Sequence, residues 1–178
     1  MAFLDLAKAF DIVNHQILYA KLYRYGLRGS ILELIKIYLT NRKQVVKIGN
    51  DYSTHGNMSI GVLQGSILGP LLFIIYINDL LKTIDSGNIV SNADDTAVLG
   101  MGKTWTETQN NLNNYLNRIA KWLAQNKLSL NISKTIYITF ANSIRSLPKN
   151  LNIHINNILI KRVLVTKYLG VQIDCHMR

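Results

Sequence analysis

The chain opens on an apolar run, Phe3-Leu4-Asp5-Leu6, that reads as a short buried strand with an acid planted in it. Asn14 is placed to cap a helix in which Ile17, Leu18, Leu22 and Tyr25 recur at helical spacing until Gly26 stops them. A second helix is signalled by Ser30 and Glu33 as a capping box, with Ile31, Leu34, Ile35, Tyr38 and Leu39 on one apolar face. Gln44 to Ile48 has β character and runs into a turn at Gly49-Asn50. A glycine-bounded loop, Gly61 to Ser66, then feeds a helix that tolerates Pro70 in its first turn. Asn88 to Leu99 reads as a hairpin. Its strands are Ile89-Val90 and Thr96 to Leu99, and its tip holds Ala93, Asp94 and Asp95. Thr104 and Glu107 form another capping box before a long helix whose buried face is Leu112, Leu116, Ile119 and Leu123, joined by Tyr115 and Trp122. After Asn126, strands are expected near Ile136–Phe140, Ile153–Ile155, Ile158–Val165 and Tyr168–Ile173. No repeat, linker or low-complexity block interrupts the pattern, so one α+β domain over residues 1–178 is expected.

Charge changes the picture more than composition does. Hydrophobic residues make up 48% of the 178 positions, enough for a packed core. The most apolar run, Ile67 to Leu81, is broken by Pro70, Asn78 and Asp79 short of the ~20 residues of a membrane span. No secretory signal pattern opens the chain, and the lone Cys175 has no internal disulfide partner. A soluble, intracellular protein, nuclear or cytoplasmic and without a membrane role, is the expectation. Twenty Lys and Arg against ten Asp and Glu give +10, which favours a polyanionic partner because neutralised phosphates release counterions. The basic residues stand singly among apolar ones, as at Lys21, Arg24, Arg28, Lys36, Arg42, Lys43 and Lys47, a pattern of folded surface rather than of a basic tail.

Three acids stand in apolar stretches: Asp5, and the adjacent pair Asp94-Asp95. Gathered carboxylates repel one another, and divalent cations with oxygen ligands relieve that repulsion. Two such ions about 3.5–4 Å apart suit phosphoryl transfer. The same pair also suits an ordinary β-turn, since Asp accepts backbone hydrogen bonds and tolerates unusual φ. His15, His55, His154 and His176 have no zinc-like spacing and read as surface or core residues.

The order of the surrounding segments adds a resemblance. Phe3-Leu4-Asp5-Leu6-Ala7-Lys8-Ala9-Phe10-Asp11 resembles motif A of non-LTR retrotransposon reverse transcriptases, particularly the jockey-like elements. Gly61 to Pro70, running on to Leu80, resembles motif B, and Ala93-Asp94-Asp95-Thr96 resembles motif C. Leu128 to Thr135 is similar to motif D, and Lys167-Tyr168-Leu169-Gly170-Val171 to motif E. The resemblance implies a polymerase palm in which an antiparallel sheet carries the acids. It implies Mg²⁺, with Mn²⁺ as substitute, held by Asp5, the Leu6 carbonyl, Asp94 and Asp95, while Lys134 assists pyrophosphate departure. Lys8 and Ala9 would meet the dNTP triphosphate, and Phe10 would exclude a 2′-hydroxyl, though Phe10 also suits plain core packing. Gln64 and Gly65 would touch the incoming nucleotide. Asn92, Ala93, Tyr168, Leu169 and Gly170 would face a DNA primer annealed to an RNA template.

Two positions depart from that pattern: Asn92 stands where the family usually has an aromatic residue, and Leu63 where it usually has proline. Fingers before motif A, a full thumb and an endonuclease domain are not represented in these residues. The expectation is therefore a partial palm with exposed apolar surface and weakened or absent catalysis. An inactive nucleic-acid-binding remnant is the alternative function, and a basic scaffold without a nucleic-acid role is a third.

Overall fold

The structure, a computed structural model, describes residues 1–84, 87–141, 148 and 151–176. In chain order the elements begin with β1 (Ala2–Leu4), α1 (His15–Arg24), α2 (Ser30–Leu39), β2 (Arg42–Gln44), β3 (Lys47–Ile48), β4 (Asp51–Tyr52) and β5 (Gly56–Met58). Then come α3 (Leu68–Ile77), a 3₁₀ turn (Asn78–Lys82), β6 (Ile89–Asn92), β7 (Asp95–Val98) and α4 (Trp105–Gln125). The remainder is β8 (Ile136–Tyr137), β9 (His154–Ile155), β10 (Ile158–Leu159), β11 (Lys161–Arg162), β12 (Val165–Tyr168) and β13 (Val171–Asp174). The α+β class is as the pattern predicts. Two compact units result: Met1–Ala7 with Asp79–Arg178, and Lys8–Asn78.

The first unit is built on a five-stranded sheet ordered β11-β8-β1-β7-β6. Its neighbours run antiparallel except for β11 beside β8. The central strand β1 is buried at all three residues, as a strand covered on both faces requires. Helix α4 packs against β7 and β9, with Leu112, Leu116, Ile119 and Leu123 buried as its spacing predicts. The Thr104 hydroxyl accepts from the Glu107 N–H at 3.2 Å, and the Glu107 carboxylate accepts from the Lys103 N–H at 2.8 Å. That return bond falls one residue before the cap, a variant of the expected box.

The C-terminal strands differ from expectation in one instructive way. The pattern gives a strand over Tyr168–Ile173 while the resemblance implies a turn within Lys167–Val171; Leu169 (φ 49°) and Gly170 (φ 83°) form a two-residue turn that joins β12 to β13. Two positive φ values give a turn whose twist suits a hairpin, but leucine is a poor sequence marker for it. Asn156 and Asn157, at φ 51° and 64°, make the corresponding turn between β9 and β10 with residues that favour it. The expected run Ile158–Val165 is divided into β10, β11 and the start of β12.

The second unit sets α1 against α2 and α3, beside the short ladders β2–β5 and β3–β4. Asn14 caps α1, accepting from the Ile17 N–H at 3.1 Å, and Gly26 follows at φ 91°. Gly49-Asn50 turns β3 into β4 as expected. Three expectations need correction. The Ser30–Glu33 box does not form: Gly29 precedes the helix without a side-chain cap, and Glu33 pairs with Lys36 at 2.7 Å instead. The inward face of α2 is Leu32 and Leu39, whereas Ile31, Leu34 and Ile37 are exposed at 59%, 67% and 70%. Packing rather than periodicity selects the buried stripe, and a helix apolar nearly all round leaves that choice open. Lys21, read as surface, is buried, with its ammonium donating to the Tyr76 carbonyl at 2.6 Å. That carbonyl belongs to the last turn of α3, where a cation is stabilised by the helix dipole. Exposed apolar side chains, Ile67 at 95% most of all, agree with the expected uncovered surface.

Candidate active site

The acids are placed by the register of three strands. β6 and β7 are joined by a two-residue loop, Ala93-Asp94, closed by the pair Asn92↔Asp95. Of these loop residues only Ala93 has positive φ, 54°, a conformation an alanine tolerates at a cost of about 1–2 kcal/mol. Asp95 is therefore the first residue of β7 rather than part of the tip. β1 pairs with β7 as Phe3↔Ala97 and Leu4↔Thr96. Extending that register by one residue sets Asp5 opposite Asp95, and directly opposed residues share a face about 5 Å apart. Because strand residues alternate, this is the face of Phe3 and Ala97, which pack with Ile138, Cys175 and the ring of Tyr168.

The backbone around Asp5 is held by the segment resembling motif D. The Asp5 carbonyl accepts from the Asn131 N–H at 2.8 Å, and the Ala7 N–H donates to the Ser129 carbonyl at 2.8 Å. These two bonds flank Leu6, which bridges Leu130; in such an antiparallel bridge the central residue's own carbonyl is not consumed by the pairing. Thr135, fully buried, accepts from the Asp5 N–H at 3.4 Å and donates to the Asn131 carbonyl at 3.0 Å. Lys134 sits exposed on that Asn131–Thr135 turn.

The electrostatics follow from this arrangement. Asp95's carboxyl is raised above the ordinary carboxylate range, first by burial, then by the charges of Asp94 and Asp5. Like charges 4 Å apart repel by about 1 kcal/mol in water, which a partly exposed set can tolerate and a cation would reverse. The sequence reading put the three acids in apolar surroundings. Asp94 and Asp95 are instead exposed and Asp5 is intermediate, because the strand ends at Leu4 and the hairpin tip protrudes. Among the described residues no three His, Cys, Asp or Glu side chains form a ready-made cage, so the acids are an open set. Their chemistry fits a hard divalent cation: carboxylate oxygens, a carbonyl between two bridging bonds, and room for water or phosphate ligands.

The other predicted residues near the hairpin lie in the same unit. Asn92 is exposed and presents no aromatic surface. Tyr168 stacks its ring, tilted by 53°, on Phe3 at 5.2 Å, while Leu169 and Gly170 are exposed at the hairpin turn.

The expected nucleotide-facing residues belong to the second unit. Lys8 is exposed at φ 49° and starts a turn in which its carbonyl accepts from the Asp11 and Ile12 N–H groups. Ala9 is buried. Phe10 is intermediate in exposure and stacks on the fully buried Phe73 at 4.5 Å, so one ring face packs. Gln64 and Gly65 are exposed, and the Gln64 amide donates to the Asp11 carboxylate at 3.1 Å. The segment after Lys8 and the glycine loop are also laced through their backbones. Val62 N–H donates to Phe10 carbonyl and Gly61 N–H to Val13 carbonyl, both at 2.8 Å. His15, taken as a surface or core residue, is buried and holds the same loop, its Nε2 2.7 Å from the Gly61 carbonyl. That contact requires the Nε2–H form. Sequence reasoning missed His15, Asp11, Asn131 and Thr135 as anchors. Only Asn14, the cap directly before His15, hinted at a fixed chain there.

The residues expected to face a nucleotide and the carboxylate set thus lie on separate units, each of which can be compared with known proteins. Residues 1–173 match the family described as Reverse transcriptase (RNA-dependent DNA polymerase). The chain belongs to the reverse transcriptase family. Its similarity to the RNA-directed DNA polymerase from mobile element jockey of Drosophila melanogaster is 31% identity over 97% of this chain. The jockey polymerase of Drosophila funebris is 33% identical over 97%, and the probable RNA-directed DNA polymerase from transposon BS of Drosophila melanogaster 31% over 97%. The chain spans about a fifth of the length of these relatives. By family this is a reverse transcriptase domain of non-LTR retrotransposon type. Among its described residues no helix is long and apolar enough to cross a membrane.

Proposed function

We propose that this domain is the palm part of an RNA-directed DNA polymerase that extends a DNA primer on an RNA template by nucleotidyl transfer from dNTPs. The observation that carries the reading is the strand register, which sets Asp5 beside Asp95 at a hairpin whose tip is Asp94. Asp5, Asp94, Asp95 and the Leu6 carbonyl would hold two Mg²⁺ ions, or Mn²⁺ in their place. When bound, such ions lower the pKa of the primer 3′-hydroxyl and neutralise charge on the phosphate and leaving pyrophosphate.

Every other contribution comes from the chain. Asn131 and Thr135 fix the backbone of Asp5, and Lys134, on the same turn, is available to neutralise pyrophosphate. Phe10, with one ring face against Phe73, would bar the 2′-hydroxyl of a ribonucleotide and so favour dNTPs. Asp11 holds Gln64 beside Gly65, where no side chain obstructs an approaching base pair. Leu169 and Gly170 remain open to a primer strand.

A second reading, nucleic-acid binding without chemistry, is favoured by Asn92, which offers a primer end a polar, exposed side chain in place of a ring. Single-nucleotide extension on an RNA template, with Mg²⁺ or Mn²⁺, separates the two. Extension by the parent that the Asp94→Asn, Asp95→Asn variant lacks supports the polymerase. No extension by either protein, with primer–template binding intact in both, supports the binding remnant.

A further inference from the structure

Residues 43–57 are exposed throughout, yet they are folded: the ladders β2–β5 and β3–β4 run through them without a core of their own. A two-stranded hairpin is marginal in water, so β3–β4 depends on its turn at Gly49-Asn50 and on its base at Val46 and Ser53. There the Val46 N–H donates to the Ser53 hydroxyl and the Ser53 N–H to the Val46 carbonyl, both at 2.9 Å. Lys47 pairs with Tyr52 and Ile48 with Asp51, which gives the hairpin two chemically different faces. On the first, the Lys47 ammonium lies 5.1 Å from the centre of the Tyr52 ring. Tyr52 is nonetheless 65% exposed, so the ring remains open to solvent. Lys21 makes the same contact with Tyr76, but both of those residues are buried and the contact serves packing. At the foot of the segment the Arg42 guanidinium lies 4.4 Å from the centre of the Tyr38 ring. From Thr40 to Met58 the charges are Arg42, Lys43 and Lys47 against Asp51 alone.

We infer that the β3–β4 hairpin is a docking site for unpaired RNA, where a base stacks on the Tyr52 ring and Lys47 meets the adjoining phosphate. An open aromatic ring beside a cation offers each part of a nucleotide its counterpart, and such stacking tolerates any base. A protein partner would call for aliphatic surface, and Ile48 stands on the opposite face from Lys47 and Tyr52. The inference rests on the reading of RNA as a partner of this chain. It adds a contact on the other unit from the carboxylates and needs no metal.

The test is binding of the whole chain to a fluorescent oligouridylate and to its abasic counterpart, followed by anisotropy, with circular dichroism recorded for every variant. The abasic strand keeps the phosphates and lacks the bases. Tyr52→Ala is expected to weaken oligouridylate binding about tenfold and to leave the abasic strand unchanged. Tyr52→Phe keeps the ring and should bind both strands as the parent does. Lys47→Gln should weaken both alike and flatten the log–log salt dependence by about 0.7. Oligouridylate binding by Tyr52→Ala equal to the parent's overturns the inference. So does an equal loss on both strands, which would leave charge or folding as the cause. A parent dimer that Tyr52→Ala dissolves would assign the face to a second copy and overturns it too. Should the parent bind neither strand, the nucleic-acid reading itself falls and this inference falls with it.

Discussion

Gly61 and Gly65 bound the same loop, and their surroundings predict consequences of very different size for the same substitution. A Cβ built on Gly61 would lie 2.7 Å from the Asp11 carbonyl oxygen and 3.1 Å from its carbon and Cα. Comfortable carbon contacts begin near 3.5 Å, so the overlap is severe and involves backbone rather than a side chain that can swing away. Asp11 has little room to yield. Its N–H donates to the Lys8 carbonyl at 2.9 Å, while Gly61 and Val62 bond to Val13 and Phe10 on either side of it. Overpacking of this kind costs about 1–3 kcal/mol. Positive φ adds to it: Gly61 sits at 88°, and a Cβ there costs about 1–2 kcal/mol more. Gly61→Ala should therefore destabilise the Lys8–Asn78 unit by about 2–5 kcal/mol.

Gly65, at φ 77°, has nothing within 4 Å of the built Cβ. Only the backbone term applies, reduced by the lower entropy of an alanine in the unfolded chain, so about 1 kcal/mol is expected. Both tryptophans, Trp105 and Trp122, lie in the other unit, so their fluorescence is blind to this difference and serves as an internal control. Urea unfolding followed by circular dichroism, with hydrogen exchange read on peptides from residues 8–78, measures it. A Gly61→Ala variant as stable as Gly65→Ala would show that the Asp11 approach does not constrain the loop, and the anchoring argument would be wrong. Primer extension should rank the two by a different rule. If Gly65 faces the nascent base pair, Gly65→Ala loses extension far in excess of its small stability cost.

Four further outcomes are expected. Lys21→Met should lower stability by about 1–2 kcal/mol in urea unfolding, because a charged hydrogen bond to the end of α3 is lost while the stem still packs. Thr135→Val leaves the Asp5 N–H and the Asn131 carbonyl without their buried partner and should cost about 1–2 kcal/mol, whereas Lys134→Ala, on the same turn but exposed, should leave the melting temperature unchanged. Ala93→Gly relieves about 1–2 kcal/mol of backbone strain against about 0.5–1 kcal/mol of added chain entropy. Its net effect is neutral to about 1 kcal/mol stabilising, and a lower melting temperature would refute the strain assignment. Replacing the exposed Lys43 and Lys47 by Ala should flatten the log–log salt dependence of single-stranded RNA binding by about 1.4, two phosphate contacts at about 0.7 each.

Elements with redundant local signals were legible without the structure. α4 combined a cap, a return acid and a long apolar stripe, and all three agree with its packing. α2 has an apolar stripe but too many apolar residues to orient it, so Leu39 of the inner pair lies on the expected face and Leu32 does not. The turn at Leu169-Gly170 lies within Lys167–Val171, where the resemblance implies a turn, but the residues alone do not signal it because leucine rarely adopts positive φ. The acids themselves were found from motif order. Their exposure was not, since it depends on where β1 stops and on how far the hairpin tip protrudes. His15 and Thr135 carried no pattern at all: each matters because of a partner 46 or 130 residues away.

That last point bears on how the site can decay or survive. β1 is three residues long and supplies the central strand of its sheet, yet its neighbours β7 and β8 come from much later in the chain. So short a strand has little intrinsic stability, and its position is dictated by pairing on both edges and by the bonds from Ser129, Asn131 and Thr135 just past its end. The acid of the first motif is thus held by residues of the fourth, not by its own flanks. Removing the Thr135 hydroxyl would then loosen Asp5 while leaving every recognisable acid in the sequence, whereas Asn131 holds it through a backbone N–H that a substitution keeps. If Asp5 is a metal ligand, as proposed, loss of the Thr135 hydroxyl would lower metal affinity with every carboxylate still in place.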